Sequence, residues 1–314
     1  MSRSRIVPHR SAALGLFLSV LLAAATAPTA RAQEGHDHHG QAPAGPRSRH
    51  LGDGHSHEGF PHFVDVFFTH HAYLERKLHP RLDATYAELG NEFEGSGELA
   101  WQFNRWLGGE IEIPVVRTDP EAGSGAGGLG DVELAPMVAL WQSPERLAIV
   151  SLRSGFALPT GDEQEGLGAE GWGWEPGLLL WKGHGRDRRG AIQAEIGYER
   201  LYADEGRDEE ELVYNLAWSY WLPSNWIPIA ELNGVTRLSD PPADEHEEEE
   251  PVGGLALAHG DALESEDDTV IAAALGFRYA FANGQQWGAG IQLPLSDTEG
   301  YDWRLVVGGI IHIE

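Results

Sequence analysis

The chain has 314 residues, a formal charge of −27 and no cysteine. That charge excludes nucleic acid as a partner, because phosphates would be repelled, and the missing thiols exclude disulfides and thiolate metal sites. Beyond the first 32 residues no stretch approaches the roughly 18 apolar residues of a membrane-crossing helix, which excludes a helical membrane protein.

Residues 1–32 read as an export signal peptide. Arg3, Arg5 and Arg10 form a positive start, Leu14 to Ala25 is an apolar run too short to span a bilayer, and Ala30-Arg31-Ala32 offers small residues for cleavage. The mature chain is expected to begin at Gln33, and losing the four arginines of the signal would take the charge from −27 to −31. Residues 33–60 are nearly devoid of apolar side chains and rich in Gly, Pro and His, the composition of a flexible tail. His36, His38, His39, His55 and His57 stand there beside Asp37, Asp53 and Glu58. Closely spaced imidazoles can chelate Zn, Cu or Ni ions without a folded cage. The same composition also suits a merely polar linker, and the sequence leaves both readings open. Residues 61–80 form a linker or plug-like segment, or a short helix, because Phe63, Val64, Phe67, Phe68, Tyr73 and Leu74 call for packing.

From residue 81 to 314 the apolar residues recur with period two. Leu99, Trp101 and Phe103 alternate with Ala100 and Gln102, and Ile271, Ala273, Leu275, Phe277 and Tyr279 alternate with smaller or polar residues. Such alternation predicts strands with one apolar face. About twelve are expected, near 81–88, 96–104, 108–116, 131–141, 147–158, 172–182, 190–201, 211–222, 226–238, 268–281, 286–294 and 303–313, each long enough to cross a bilayer at a tilt. Short connections such as 105–107, 142–146 and 223–225 alternate with longer Gly- and acid-rich ones at 89–95, 117–130, 159–171, 202–210, 239–267 and 295–302. Short turns at one end and long loops at the other define an all-β, antiparallel up-and-down transmembrane barrel, with outer-membrane lipid around it. A soluble sandwich would alternate similarly. It would not need Trp101, Trp172, Trp174, Trp218, Tyr220, Trp226, Trp287 and Trp303 near strand ends, where a membrane barrel carries aromatic girdles.

Strand parity turns Glu110, Glu112, Glu133, Arg153, Glu195 and Arg278 toward the lumen, where charged rings set ion selectivity or pair simply to fill a narrow barrel. The acid run of 240–250 would be an extracellular loop, a solvated face unless it gathers cations. Within the barrel region His184 and His312 fall at the periplasmic end and His246 and His259 in the acidic loop with no serine motif beside them, so an enzyme is not expected.

Two short motifs carry a family resemblance. Gly128-Leu129-Gly130-Asp131-Val132-Glu133-Leu134 and Gly155-Phe156-Ala157-Leu158-Pro159-Thr160-Gly161-Asp162 resemble those of the outer-membrane transporters associated with the meta-pathway of phenol degradation. The resemblance covers roughly residues 81–314 and implies a β-barrel with a transport role and no catalytic residue. Their Gly and Asp residues are expected to close loops into strands where a positive φ is needed. The chain departs from the usual pattern of such barrels at His312-Ile313-Glu314, which lacks a terminal aromatic residue. The expected function is a transport or channel role, handling divalent metal ions through the histidine-rich periplasmic tail. The alternatives are a channel for small hydrophobic or aromatic solutes and a non-conducting structural or binding barrel.

Overall fold

Alternation of apolar and polar side chains extends each strand to the length of a bilayer crossing, and only closure leaves no unpaired edge in lipid. The structure, a computed structural model, describes residues 60, 63–87, 90–120, 124–169, 171–185, 187–203, 208–239, 269–296 and 301–313. Thirteen strand segments are present among them: β1 (Lys77–Ala87), β2 (Gly90–Gln102), β3 (Leu107–Pro120), β4 (Ala126–Leu129), β5 (Val132–Ser143), β6 (Ala148–Leu158), β7 (Gly171–His184), β8 (Gly190–Ala203), β9 (Glu209–Tyr220), β10 (Trp226–Arg237), β11 (Thr269–Ala280), β12 (Gln286–Pro294) and β13 (Trp303–His312). Every pairing is antiparallel and joins chain neighbours, except that β3 also pairs β5 past the short β4 and β1 pairs β13 to close the circle. The short β4 lies on the upper part of β3 while β5 pairs its lower part, so the two act as one interrupted strand. The result is a closed twelve-stranded antiparallel barrel.

Three differences from the sequence expectation have physical causes. Residues 90–95, expected in a loop, belong to β2, whose alternation continues through polar residues: Phe93 faces outward while Glu92 and Glu94 face inward. The barrel begins at Lys77 instead of residue 81, because Lys77, His79 and Arg81 occupy the inner face of β1 between the exposed Leu78 and Leu82. Residues 63–76 contain no helix.

The outer surface is apolar at mid-height, with Leu82, Leu152, Leu232 and Leu275 exposed, Leu275 by 65%. Aromatic side chains band both ends. Trp101, Trp218, Trp226 and Trp287 sit toward the short-turn end, and Trp172 stacks on Tyr202, and Tyr86 on Trp303, toward the long-loop end. An apolar belt between aromatic girdles is the exterior of an outer-membrane barrel. The described connections at the first end are short, 103–106, 144–147, 221–225 and 281–285.

The two resemblance motifs meet at the other end. The buried Asp131 carboxylate accepts the backbone N–H groups of Thr160 (2.9 Å), Gly161 (2.8 Å) and Ala169 (2.7 Å), and the Thr160 hydroxyl donates to the Gly130 carbonyl. Neither Gly130 nor Gly161 has a positive φ, contrary to expectation. They are glycines because space is missing: a Cβ on Gly161 would lie 2.3 Å from the Leu167 carbonyl oxygen, and one on Gly130 2.9 Å from a Val116 methyl.

Candidate functional site

The lumen is occupied by the chain's own N-terminal segment. The side chains of residues 63–69 are apolar in the main, and an apolar stretch just before a barrel finds no lipid or core except inside it. Phe60 and Phe63 enter near the short-turn end and pack on Trp181, and Phe63 stacks on Tyr73 with ring centroids 4.2 Å apart. The segment rises to Phe67–His70 and returns to Lys77, where β1 starts. Phe67 rests on Gly276 and Gly290, where a Cβ would come within 2.5 and 2.8 Å of its ring, and the Arg278 guanidinium covers it at 4.7 Å.

Wall side chains satisfy the backbone of this segment, as buried amides and carbonyls require. Glu231 on β10 accepts the N–H groups of Phe67 (2.6 Å) and Phe68 (3.1 Å) and the Thr69 hydroxyl (2.9 Å). Glu195 on β8 accepts the His70 N–H (3.2 Å) and meets His70 Nδ1 at 2.7 Å. Gln193 donates to the Val64 carbonyl (2.8 Å), Arg278 to that of Asp65 (2.8 Å), Arg81 to that of Phe67 (2.8 Å), and Ser151 to that of Ala72. Lys77 Nζ closes the base of the segment on Asp65, 2.5 Å away, and the Tyr73 hydroxyl donates to the same carboxylate.

Carboxylates dominate the wall beside the segment. Glu98, Glu112 and Glu133 are direct partners across β2, β3 and β5, and Glu199 faces Glu211 across β8 and β9. Like charges directly opposite one another destabilise a sheet, so these rows cost stability unless something positive stands near them. Arg153 on β6 supplies part of that charge. It bonds Glu133, lies 3.4 Å from Glu110 and 3.6 Å from Glu175, and so divides one guanidinium among three acids. Above the apex of the segment a cavity opens between Phe68, Asn215, Asn233, Gln292, Tyr301 and Arg304.

Of the residues singled out in the sequence, Glu110, Glu133 and Arg153 come together in one cluster, with Glu112 beside Glu133 in the ladder. Glu195 and Arg278 lie elsewhere on the wall and hold the inserted segment. The tail histidines His36, His38, His39, His55 and His57 lie outside the described residues, as do the proposed signal peptide and the acidic run of 240–250. Glu98, Glu175, Glu199, Glu211 and Glu231 were not singled out as lumenal in the sequence. Parity alone would have turned all five inward, since each alternates with an exposed or partly exposed neighbour. Asp65 and His71 were not singled out as site residues either; they belong to no strand and carry no periodic signal.

The family described as "Putative MetA-pathway of phenol degradation" matches residues 101–301, more than half of the chain. Among curated proteins none matches. Among solved structures, an outer-membrane channel from Pseudomonas putida F1 is similar, with a TM-score of 0.55 and 13% identity over 80% of this chain and 100% of that one. The NanC porin is similar with a TM-score of 0.50 and 9% identity, over 74% of this chain and 100% of its own. At these identities the likeness is one of fold, the closed barrel of channels and porins.

Proposed function

The chain belongs to the family described as "Putative MetA-pathway of phenol degradation", and we propose that it is an outer-membrane channel preferring cations, gated by the segment inserted in its lumen. The observation that carries this reading is the run of facing carboxylates Glu98, Glu112 and Glu133, with Glu110 and Glu175 sharing Arg153 beside them. Carboxylate rings favour cations in pores, and a sheet that tolerates like charges in register keeps them for such a use. Divalent metal ions are the cargo this reading favours, with His36, His38, His39, His55 and His57 collecting Zn, Cu or Ni ions at the periplasmic mouth. The inserted segment sets the resting state as closed or narrowly conducting, because it fills the lumen and is bonded from several strands.

One observation favours small aromatic solutes instead. Trp181 is fully buried inside the barrel among Phe60, Phe63, Leu179 and Ile149, and its indole N–H has no hydrogen-bond partner. An aromatic hydroxyl arriving as the segment withdraws could accept that hydrogen bond. Proteoliposomes holding the full-length protein separate the two readings. Uptake of Zn²⁺ exceeding that of phenol supports the cation channel, phenol uptake without zinc uptake supports the aromatic one, and neither would indicate a non-conducting barrel.

A further inference from the structure

We propose that His71, Glu98 and Glu110 form a lumenal site for one divalent first-row transition-metal ion, with zinc as the reference, which fastens the inserted segment to the barrel wall. His71 comes from the segment, Glu98 from β2 and Glu110 from β3, so an ion there would join three parts of the chain. One ligand atom from each lies within 4.8 Å of the others. His71 Nε2 and Glu110 Oε1 are 3.3 Å apart, the spacing of two ligands on a tetrahedral zinc with bonds of about 2.0 Å, which is about 3.3 Å. A small rotation of the Glu98 carboxylate brings the third ligand in, and water completes the set.

The second observation is His71 itself. It is 7% exposed, its ring is stacked on Tyr73 at 4.5 Å, and neither ring nitrogen makes a hydrogen bond. A buried imidazole with neither nitrogen hydrogen-bonded, and Nε2 in ion-pair contact only, is costly, and metal ligation removes that cost at one of them. The Glu98 Oε1 atom is also buried without a hydrogen bond. The second oxygens are engaged elsewhere: Glu110 Oε2 faces Arg153 at 3.4 Å and Glu98 Oε2 faces His79 Nδ1 at 3.6 Å.

Charge points the same way. Asp65, Glu75, Glu98 and Glu110 surround the site; Lys77 lies 2.5 Å from Asp65 and 3.7 Å from Glu98, and Arg153, 3.4 Å from Glu110, is shared with Glu133 and Glu175. A dication offsets the remaining negative charge without displacing Lys77. One imidazole with two carboxylates suits Zn²⁺, Mn²⁺ or Fe²⁺, and the absence of a sulfur donor disfavours Cu(I).

The inference rests on the cation reading above for its biological use, while the binding is tested apart from any current. Zinc is titrated into the refolded full-length protein, His71→Ala and Glu98→Gln, with bound equivalents and thermal unfolding both measured. The tail contributes equally to all three proteins, so the expected result is one fewer equivalent in each variant. The zinc-dependent rise in melting temperature should also shrink by several degrees. Equal stoichiometry and equal shifts in folded variants would overturn the proposal. If a variant does not fold, zinc-edge anomalous scattering from wild-type crystals decides. A peak within about 2.2 Å of His71 Nε2 supports the site, and its absence there overturns it. A wild-type barrel that binds this ion yet shows no cation preference would defeat the channel reading and leave the site standing.

Discussion

The carboxylate of Glu231, in the wall strand β10, accepts the backbone N–H of Phe67 at 2.6 Å, joining residues 164 positions apart. Phe67 and its neighbours are apolar, so hydrophobic burial alone would let the segment slide along the lumen. The hydrogen bonds to Glu231 fix its height instead, because a buried backbone donor is held wherever its acceptor stands. Glu231→Ala removes the acceptor of two N–H groups and a hydroxyl, at a cost of about 1–3 kcal/mol for each one left buried and unpaired. The segment is expected to leave the lumen more often. Single-channel recording should show longer open times than wild type, and proteolysis should cut residues 63–76 faster.

Gly290 supplies the second hold on the same residue. A Cβ there would lie 2.8 Å from the Phe67 ring, so Gly290→Val should displace the apex, with an overpacking cost of about 1–3 kcal/mol. Phe67→Ala in the same chain should return thermal stability and open time toward the Phe67→Ala values. A double-mutant cycle measures this coupling, and additive effects would mean that the two positions do not interact.

Asp131 offers a contrast, because its hydrogen bonds hold the loop of Thr160, Gly161 and Ala169. Asp131→Ala removes the acceptor of three backbone N–H groups from Thr160, Gly161 and Ala169. Loss of about 2–3 kcal/mol is expected, together with faster cleavage of residues 159–169 by added protease. Conductance should stay near the wild-type value.

Much of the barrel was legible because lipid imposes a simple rule. Leu78, Leu152 and Leu275 face out, their neighbours face in, and strand length follows from the bilayer. Where the inner face is charged, as at Lys77, His79 and Arg81, the apolar signal thins, and alternation alone starts β1 near residue 81 instead of at Lys77. The same parity that placed Glu110, Glu133 and Arg153 inside could not say that they touch, since contact depends on register between strands. His71 and Asp65 were the least legible. Their partners are set by how an irregular segment folds back into a lumen, and nothing in local sequence encodes that path. At Gly130 and Gly161 of the paired motifs, crowding requires glycine and a positive φ does not: side chains of Val116 and Pro114 close on Gly130, and the Leu167 backbone on Gly161.

Glu112 and Glu133 face one another in the ladder, and replacing both with glutamine removes two of the carboxylates that the proposed selectivity depends on. Glu112→Gln with Glu133→Gln should therefore move the reversal potential under a salt gradient toward zero. Stability should hold or rise slightly, because a like-charge cross-strand pair is lost, although Arg153 gives up one partner. A thermal melt beside the electrical measurement separates the two effects.

The most direct test is the reversal potential of the wild-type protein and of Glu231→Ala in planar bilayers under an about tenfold potassium chloride gradient. A cation-preferring sign in both, with larger current in the variant, is the predicted result. An anion-preferring sign, or silence in both proteins, would contradict the account of a carboxylate-lined channel closed by its own N-terminal segment.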